Sequence, residues 1–583
     1  MPRLTGSPHG RYCREVHKGA ILTRFDAISR PLFVFTLILL TITAAQFASA
    51  EGPYQRGSSN TVTADPAVKR PSTTPCVVNL FTSLEFADFN AKSFTYTPPA
   101  ACPGPWAKVV FEADVNVTAG VQFDRTANFW IGGANIYFGT TAEPGSNLGP
   151  SWHVESDLTD YSPLFNVTQA GQADIFNLVD STYTGIIYST ANLEFYPLSQ
   201  GQTAPVTADA VYALSAGPDG GTVALSTTTS LLSQTLTLPT NVERAYLDVY
   251  AQSQSGDEFW YTCVPNDVSS ELFSCGNTGF REAEVTIDGT SAGVAPIFPW
   301  IFTGGIDPYL WFPLAGTQTL NFTPFRVDLT PFAATLSNGQ PHTVAVSVYN
   351  ANNYFSATAS LLVYEDHGST QVTGATTRNT IGAGPNPVVV ENLVNNNGNV
   401  NGTVKVTSLR HYQVAGYVNT SHGPVVTQID QKNSFSNAQG FHITTLAYIQ
   451  NITQNTTVTT TTRTTENGVT SEADTQYNFP LVVDIAQSFK PSGAGSLLTS
   501  IQQEYQRTET DLTDGVPTYR NSLTYKTDPT DTLLISGGSI VGNAGQSSSQ
   551  QYTYSDSTGA CYDLTLTASK NVLNGVQPGC GRK

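Results

Sequence analysis

The chain is poor in charged residues, and this scarcity excludes several classes of protein. Only 12% of its 583 residues are Asp, Glu, Lys or Arg, which is about half the usual quarter. Lys and Arg number 27 against 45 acids, a net charge of -18, which disfavours nucleic-acid binding because that needs stripes of basic side chains. With 40% hydrophobic residues, the chain can build sizeable cores and is not wholly disordered. The single methionine, Met1, and the low share of Ala, Glu and Lys favour a β-protein over a helical bundle.

Motifs of several enzyme classes are also missing. The sequence contains no H-E-x-x-H, P-loop or C-x-x-C pattern, which argues against zinc proteases, P-loop enzymes and thiol redox chemistry. The histidines beyond the N-terminal segment lack metal-ligand spacing, and a lone one such as His153 is more often structural than catalytic. We therefore predict neither a metal nor a cofactor. An enzyme of this composition would rely on carboxylates.

The N-terminus has the pattern of a secretory signal. Residues 1–30 are basic, an apolar run starts at Pro31, and a small-residue site, Phe47-Ala-Ser-Ala50, follows it. We predict cleavage after Ala50 and a secreted protein. The alternative is an uncleaved signal-anchor, in which residues 31–47 would tether the chain as a single-pass membrane protein. That run is marginal, because a membrane span needs about 20 residues.

Six cysteines and seven N-glycosylation motifs follow the signal. An even number of cysteines in an exported chain implies disulfides. Proximity in sequence predicts the pairs Cys76–Cys102, Cys263–Cys275 and Cys561–Cys580, although other connectivities stay open. Each Asn-x-Ser/Thr motif predicts a surface asparagine; these are Asn116, Asn166, Asn321, Asn401, Asn419, Asn451 and Asn455.

Strand signals dominate the rest of the chain. Apolar residues alternate with polar ones from 109 to 117, and Gly132-Gly133 separates two aromatic runs as a hairpin would. The long Thr/Ser/Asn/Gln-rich runs 453–464 and 475–487 also have a period of two. We predict an all-β protein made of tandem antiparallel, jelly-roll-like β-sandwiches and a C-terminal β-rich region. The predicted divisions are a Ser/Thr/Pro linker at 51–72, sandwiches at 73–215 and 216–368, and the C-terminal domain at 369–583.

Two segments combine carboxylates with aromatic residues. In residues 123–133, Asp124 and Arg125 lead into an aromatic strand, which a surface ion pair would also explain. In residues 255–263, Asp257 and Glu258 precede Phe-Trp-Tyr and a cysteine, which a turn before a core strand would also explain. Aromatic rings beside carboxylates suit sugar binding, and they raise the pKa of an acid, which helps a proton donor.

Several motifs together resemble the peptide:N-glycanase A family. They are VQFDRTANFWIGG at 121–133, TTAEP at 140–144, LVDSTYTG at 178–185, GDEFWY at 256–261, FREAEVTIDG at 280–289 and FTGGIDP at 302–308. The matches come in family order and cover residues 73–366, whereas the C-terminal region is not matched. The resemblance implies hydrolysis of the amide between asparagine and the first N-acetylglucosamine of an N-glycan, with glycopeptides or glycoproteins as substrates.

The resemblance also implies a set of site residues. A related bacterial glycopeptidase, built of two jelly rolls, shares the Asp-Arg-x-Ala-Asn pattern, so Asp124 falls on its principal catalytic aspartate and Asp180 near a second essential acid. We expect Asp124 to activate water or bond the first sugar, Glu258 to protonate the leaving nitrogen, and Arg125 to orient Asp124 or stabilise the oxyanion. The expected substrate-binding residues are Asp180, Asp257, Trp130, Trp260 and Glu282, of which Asp257 and Glu282 are also rivals of Glu258.

Other functions fit the same residues. The sandwiches would also suit a non-catalytic glycan-binding or cell-surface protein, in which the acids bond sugars without hydrolysing them. A glycosidase with paired carboxylates would cut a sugar–sugar bond instead. The sequence leaves open the glycan preference and the purpose of residues 395–583.

Overall fold

The computed structural model describes residues 54–580, and it is built almost wholly of strands. Strands make up 58% of it and helices 5%, which confirms the all-β prediction. The predicted signal at 1–50 lies outside the described residues. None of the helices in residues 54–580 is long and apolar enough to cross a membrane.

The first eight strands form a jelly roll. The strands are β1 (Cys76–Phe86), β2 (Lys92–Tyr96), β3 (Trp106–Val117), β4 (Thr126–Ile131), β5 (Ala134–Thr140), β6 (Ser151–Asp157), β7 (Gln169–Ile175) and β8 (Ile187–Pro197). One sheet has the order β1-β8-β3-β6 and the other β2-β7-β4-β5, the order of an eight-stranded jelly roll. A 3-10 helix, Thr159–Phe165, follows β6.

Alternation along the strands explains how this roll buries its core. On β3, Val109, Phe111, Ala113 and Val115 are buried, because every second side chain of a strand points to the same face. Phe111 meets Phe129 of the opposite sheet with ring centroids 5.9 Å apart. The Gly132-Gly133 turn joins β4 to β5 with φ of 58° and 78°, a conformation that favours glycine.

The next strands form a second jelly roll. They are β9 (Ala210–Leu214), β10 (Val223–Leu225), β11 (Leu232–Leu236), β12 (Val242–Gln254), β13 (Glu282–Ile287), β14 (Thr290–Pro296), β15 (Phe325–Asp328), β16 (His342–Tyr349) and β17 (Tyr354–Glu365). The orders β10-β17-β12-β15 and β11-β16-β13-β14 repeat those of the first roll, with β9 added beside β17. The short helices are Ser255–Asp257, Trp260–Thr262, Pro308–Trp311, Thr330–Phe332 and α1 (Ala333–Leu336).

The C-terminal region is a single antiparallel sheet of eleven strands. These are β18 (Thr373–Asn379), β19 (Val388–Asn396), β20 (Asn399–Thr420), β21 (Gly423–Ile443), β22 (Ala447–Glu466), β23 (Val469–Phe489), β24 (Ala494–Thr513), β25 (Val516–Ser536), β26 (Ser539–Asp556), β27 (Cys561–Ser569) and β28 (Val572–Pro578). A strand of 21 residues such as β23 is about 70 Å long. From β20 onward, each strand pairs with the next one along the chain.

One face of this sheet packs on the second jelly roll. Phe435 of β21 and Leu481 of β23 belong to the same buried core as Leu247 and Val285 of the roll. The two rolls also contact each other, because Arg326 of the second pairs with Asp160 of the first at 2.7 Å. The three parts therefore fold against one another.

Residues 54–72, predicted to be a linker, lie as a strap across the first roll and the C-terminal sheet. Arg70 pairs with Glu155 at 2.6 Å and with Glu194 at 2.8 Å. The Ala64 N–H donates to Gln550 Oε1 of β26 at 2.5 Å. Disulfides join the nearest-neighbour cysteine pairs, Cys76–Cys102, Cys263–Cys275 and Cys561–Cys580.

Candidate active site

Four loops, two from each jelly roll, meet between the rolls. Asp124 lies between β3 and β4, and Glu258 lies in the equivalent loop of the second roll, between β12 and β13. Glu143 lies between β5 and β6, and Gly304 lies in the equivalent loop between β14 and β15. The same two connections of the repeated fold therefore supply the whole cluster.

Asp124 stands at the centre of the four loops. The Gly304 N–H donates to Asp124 Oδ2 at 3.2 Å, and the Asp124 N–H donates to Glu143 Oε2 at 3.3 Å. Burial raises the pKa of the Asp124 carboxyl, while the Gly304 N–H and the charge of Arg125 oppose that rise. The ionised form of Asp124 thus has a hydrogen-bond donor and a cation in support, and so has that of Glu143, through the Asp124 N–H and Arg125.

Glu143 and Glu258 are held closer to their protonated forms. Burial, and then repulsion from Asp124, raises the pKa of Glu143 to about 8. Burial, and then repulsion from Asp124 and Glu143, raises the pKa of Glu258 well above its usual range. Like charges that share a site resist ionising together, so ionisation of one of the three carboxyls disfavours ionisation of the others. Sequence reasoning did not single out Glu143, although it lies within one of the quoted motifs.

Gly304 is required by the crowding of these carboxyls. A Cβ atom at this position would overlap Glu143 Oε2 and lie 3.0 Å from Asp124 Oδ1. A larger residue at this position would displace the Glu143 carboxyl or the loop itself. The neighbouring Gly305 gives room to Phe259, whose ring would lie 3.4 Å from a Cβ there, so the Glu258 loop packs directly on the Gly304 loop.

Two buried threonines tie the loops together. The Thr141 N–H donates to Arg125 O at 2.8 Å, and Thr141 Oγ1 accepts the Arg125 N–H at 2.9 Å. The Thr303 hydroxyl donates to Thr141 O at 2.7 Å. These bonds fix the residues next to Asp124, Glu143 and Gly304 in one frame.

Arg125 is buried, and its side chain turns to the aromatic residues beside the site. Its guanidinium stacks over Phe123 and lies 5.7 Å from the Tyr183 ring. Arg125 Nη1 donates to Asp124 O at 3.3 Å, whereas Nε and Nη2 have no partner in the described structure. Burial lowers the pKa of Arg125 to about 9. It contacts the main chain of Asp124 and keeps two N–H donors available.

The two predicted rivals of Glu258 are engaged elsewhere. Asp257 is fully buried and pairs with Arg281 at 2.9 Å, while its Oδ2 accepts the N–H of Asn352 and of Asn353. Glu282 is buried against Arg410 of the C-terminal sheet at 2.5 Å. Both carboxylates are buried and engaged by structural partners, so the structure brings neither of them into the cluster with Asp124.

Asp180 is exposed and belongs to a turn. Its Oδ1 accepts the N–H of Thr182 at 2.6 Å and of Tyr183 at 2.8 Å, which lowers the pKa of the carboxyl. The turn places the Tyr183 ring against Phe123, with centroids 4.5 Å apart. Asp180 thereby supports the aromatic surroundings of Arg125.

The two tryptophans predicted to stack on sugar lie in the cores. Trp130 is 1% exposed and Trp260 is 0% exposed. Trp130 packs against Gly220, and Trp260 packs in the core with Phe435. A fully covered ring has no free face for a pyranose, so this prediction was wrong.

The predicted glycosylation sites differ in exposure. Asn321 and Asn455 are half-buried, and Asn321 Nδ2 donates to Glu155 O at 2.7 Å. The others are exposed as expected: Asn116, Asn166, Asn401, Asn419 and Asn451.

Two groups of metal-ligand side chains occur in the described part of the chain, and both are tied up in ion pairs. In the group Glu112, His153 and Glu155, the two glutamates pair with Arg70. In the group Glu243, Asp366 and His422, His422 Nε2 bonds Glu243 at 2.9 Å.

Comparison with known proteins identifies the family of the chain. The family model for peptide N-acetyl-beta-D-glucosaminyl asparaginase amidase A matches residues 66–381. The peptide-N4-(N-acetyl-beta-glucosaminyl)asparagine amidase A of Prunus dulcis is 31% identical over 395 residues, 64% of this chain and 67% of the relative.

Two solved structures are similar at lower identity. PNGase F, a glycosylasparaginase from Flavobacterium meningosepticum, is 13% identical, with a TM-score of 0.33 over 50% of this chain and 96% of that one. PNGF-II is 13% identical, with a TM-score of 0.34 over 50% of this chain and 66% of that one. On the family match and the Prunus dulcis relative, the chain belongs to the peptide N-acetyl-beta-D-glucosaminyl asparaginase amidase A family, a family of amidases.

Proposed function

We propose that Asp124, Glu143 and Glu258 form the catalytic centre of this amidase. The reaction is hydrolysis of the amide between asparagine and the first N-acetylglucosamine of an N-glycopeptide or glycoprotein. The observation that carries the proposal is the meeting of three half-buried carboxyls and the Gly304 N–H in equivalent loops of the two rolls. Acids with separated proton affinities in one site suit acid–base hydrolysis.

Each acid has a role that follows from its surroundings. Asp124, supported by the Gly304 N–H and Arg125, is the ionised member and takes a proton from the attacking water. Glu258, whose pKa is raised well above its usual range, is the protonated member and gives its proton to the leaving nitrogen. Glu143 shares protons with Asp124 and holds the Asp124 main chain.

The proposed reaction is an ordinary amide hydrolysis, in which one bond forms and one bond breaks. Water oxygen bonds to the side-chain carbonyl carbon of asparagine, and the bond from that carbon to nitrogen breaks. The peptide keeps aspartate, and the sugar leaves as a glycosylamine that later loses ammonia. The unpartnered Nε and Nη2 donors of Arg125 stabilise the oxyanion that forms on the way.

We also propose that the enzyme acts after export. Its three disulfides belong to an oxidising compartment, and raised carboxyl pKa values keep the required proton on Glu258 in acidic surroundings. Exported N-glycoproteins and their glycopeptides are the substrates that such a compartment supplies.

Mass spectrometry of a glycopeptide tests the function. A short N-glycopeptide is incubated with the enzyme in heavy-oxygen water at mildly acidic pH. The expected product is sugar-free peptide with one heavy oxygen in a new aspartate. Peptide that keeps one sugar would show glycosidase chemistry, and untouched peptide from folded protein would show a glycan-binding protein. Either result would overturn the proposal.

A further inference from the structure

The C-terminal sheet carries a row of buried amide side chains on the face that meets the second jelly roll. Asn437 and Gln439 lie on β21, Gln450 and Gln454 on β22, and Gln503 on β24, and each is at most 1% exposed. A buried amide is stable only when its hydrogen bonds are made. The hydrogen-bond partners of these amides therefore identify the segments that the row holds in place.

Two of these amides grip the main chain just after Glu258. Asn437 Nδ2 donates to Tyr261 O at 2.8 Å, and Gln439 Nε2 donates to Cys263 O at 2.8 Å. Gln450 Nε2 reaches the carbonyl between them, Thr262 O, at 3.3 Å. The carbonyls of Tyr261 and Cys263 thus depend on side chains of the sheet, whereas Thr262 O also accepts the Ser274 hydroxyl of its own loop at 2.7 Å.

The amides also lock one another. Gln450 donates to Gln439 Oε1 at 2.7 Å, Gln439 donates to Asn437 Oδ1 at 2.9 Å, and Asn437 donates to Gln454 Oε1 at 3.0 Å. This chain of bonds fixes which end of each amide faces the loop. Connected buried networks of this kind specify one arrangement of their neighbours.

The same face holds the loop of Gly304. Gln503 Nε2 donates to Pro299 O at 2.6 Å, and Gln503 Oε1 accepts the Thr317 N–H at 3.1 Å. These contacts lie on both sides of Gly304 along the chain. The family model ends at residue 381, so every amide of the row lies beyond the part of the chain it matches.

We propose that Asn437, Gln439, Gln450 and Gln503 are positioning residues of the amidase, through which the C-terminal sheet sets the places of Glu258 and Gly304. The inference rests on the proposed catalytic role of Glu258. Loop carbonyls have no strand partner, so the sheet supplies donors where an apolar face would leave these carbonyls unsatisfied. The chemistry needs the acid in the right place, because small displacements of a catalytic group cost much of the rate.

Paired substitutions on one strand test this role. Gln439→Met keeps the shape of the side chain but removes the amide that holds Cys263. Gln431→Met is the matched control, because Gln431 is also buried on β21 but donates to Val294 O of strand β14, away from the catalytic loops. Thermal melts, kcat, KM and the pH profile of kcat are measured for both variants in the full chain.

We expect Gln439→Met to lower kcat about 10- to 100-fold and to shift the alkaline limb of the pH profile, with little change in KM. Gln431→Met should lower the melting temperature by a similar amount and leave kcat and the pH profile unchanged. Equal kinetic effects of the two variants would overturn the proposal. A lower melting temperature of Gln439→Met with an unchanged kcat would also overturn it. If Gln439→Met does not fold, Gln450→Met, which removes the longer bond to Thr262, replaces it under the same criteria.

The activities of the wild type and of Glu258→Gln test the proposed function separately from this inference. If wild-type enzyme produces labelled aspartate and Glu258→Gln does not, the catalytic role stands whatever Gln439→Met shows. If Glu258→Gln keeps full activity, the catalytic assignment is the part that is wrong.

Discussion

At the scale of single residues, the sequence neighbours Asp257 and Glu258 have different surroundings. Asp257 is sealed in an ion pair with Arg281, whereas the next residue, Glu258, faces the charges of Asp124 and Glu143. The sequence indicates that an acid of this segment matters but not which one, because the turn after β12 decides the direction of each side chain. For the same reason it misplaced Trp130 and Trp260, since a strand pattern does not tell a core aromatic from one that lines a site.

Asp124→Asn should abolish turnover without unfolding the protein. The amide cannot take a proton from water, and loss of a general base lowers a rate by about 100- to 10,000-fold. Asparagine keeps an oxygen for the Gly304 N–H, so the melting temperature should stay near that of the wild type. Release of glycan from a fluorescent glycopeptide measures the rate. Activity within a fewfold of wild type would remove Asp124 from the catalytic centre.

Gly304→Ala should damage both activity and stability. The added methyl group overlaps Glu143 Oε2 and crowds Asp124, so the Glu143 carboxyl or the loop must shift and the arrangement of the acids changes. Overpacking of this kind costs about 1–3 kcal/mol. Gly440→Ala is the control, because a Cβ at Gly440 meets nothing within 4 Å. Denaturant melts and the glycopeptide assay compare the two variants, and equal behaviour would contradict the crowding at Gly304.

At the scale of elements, the site follows from a repeated topology. Asp157 and Asp328 end the equivalent strands β6 and β15, and each accepts the N–H of a threonine two residues on. The short similarity between these two segments is visible in the sequence, and it marks the same corner of both rolls. The family resemblance implied that Asp124 and Glu258 act in one site, but the residues alone do not show which loops of the two rolls come together, because that depends on how the rolls pack.

In the C-terminal strands, too, the sequence predicts the strands but not what their side chains contact. Alternation in 453–464 and 475–487 predicted extended strands, which are parts of β22 and β23. The role of Gln450 and Gln454 on β22 stayed hidden, because a polar residue at every second position fits a solvated face as well as a buried one. Whether the face is solvated or buried depends on the loops of the second jelly roll that pack on it.

A pair of buried acids links the Gly304 loop to strand β25, and it should make stability depend on pH. Asp307 and Asp531 are 0% and 1% exposed. Burial and the neighbouring Asp531 raise the pKa of Asp307 to about 8. Tyr309, the other titratable group beside the pair, has its own pKa raised. Folded Asp307 keeps a proton that the unfolded chain releases near pH 4, so stability falls as pH rises from about 4 to 8 and is level above that.

Asp307→Asn should remove this dependence. Asparagine imitates the protonated acid, so the variant should match the wild type near pH 4 and exceed its free energy of unfolding by on the order of 1–3 kcal/mol at pH 8. Urea melts across this range measure the difference. A constant difference at all pH values would mean that Asp307 does not change its protonation there.

At the scale of the whole molecule, the catalytic rolls and the C-terminal sheet are one folding unit. Phe435 and Leu481 of the sheet complete the core of the second roll, and the buried pair of Arg410 with Glu282 crosses the same contact. The strap at 54–72 closes the assembly, since Arg70 holds the first roll and Ala64 holds β26.

A fragment of residues 54–372, which contains both rolls but no C-terminal sheet, should therefore fail to fold stably. It would expose the apolar face around Trp260 and Phe280 and leave the carbonyls of Tyr261 and Cys263 without their donors. The lost burial of this apolar face costs roughly 25 cal/mol per Å², and whole domains are stable by only about 5–15 kcal/mol. Soluble yield, size-exclusion chromatography and a thermal melt report the outcome. A monomeric fragment with a cooperative melt would mean that the rolls fold alone; full activity from it would mean, in addition, that the sheet is dispensable for positioning Glu258.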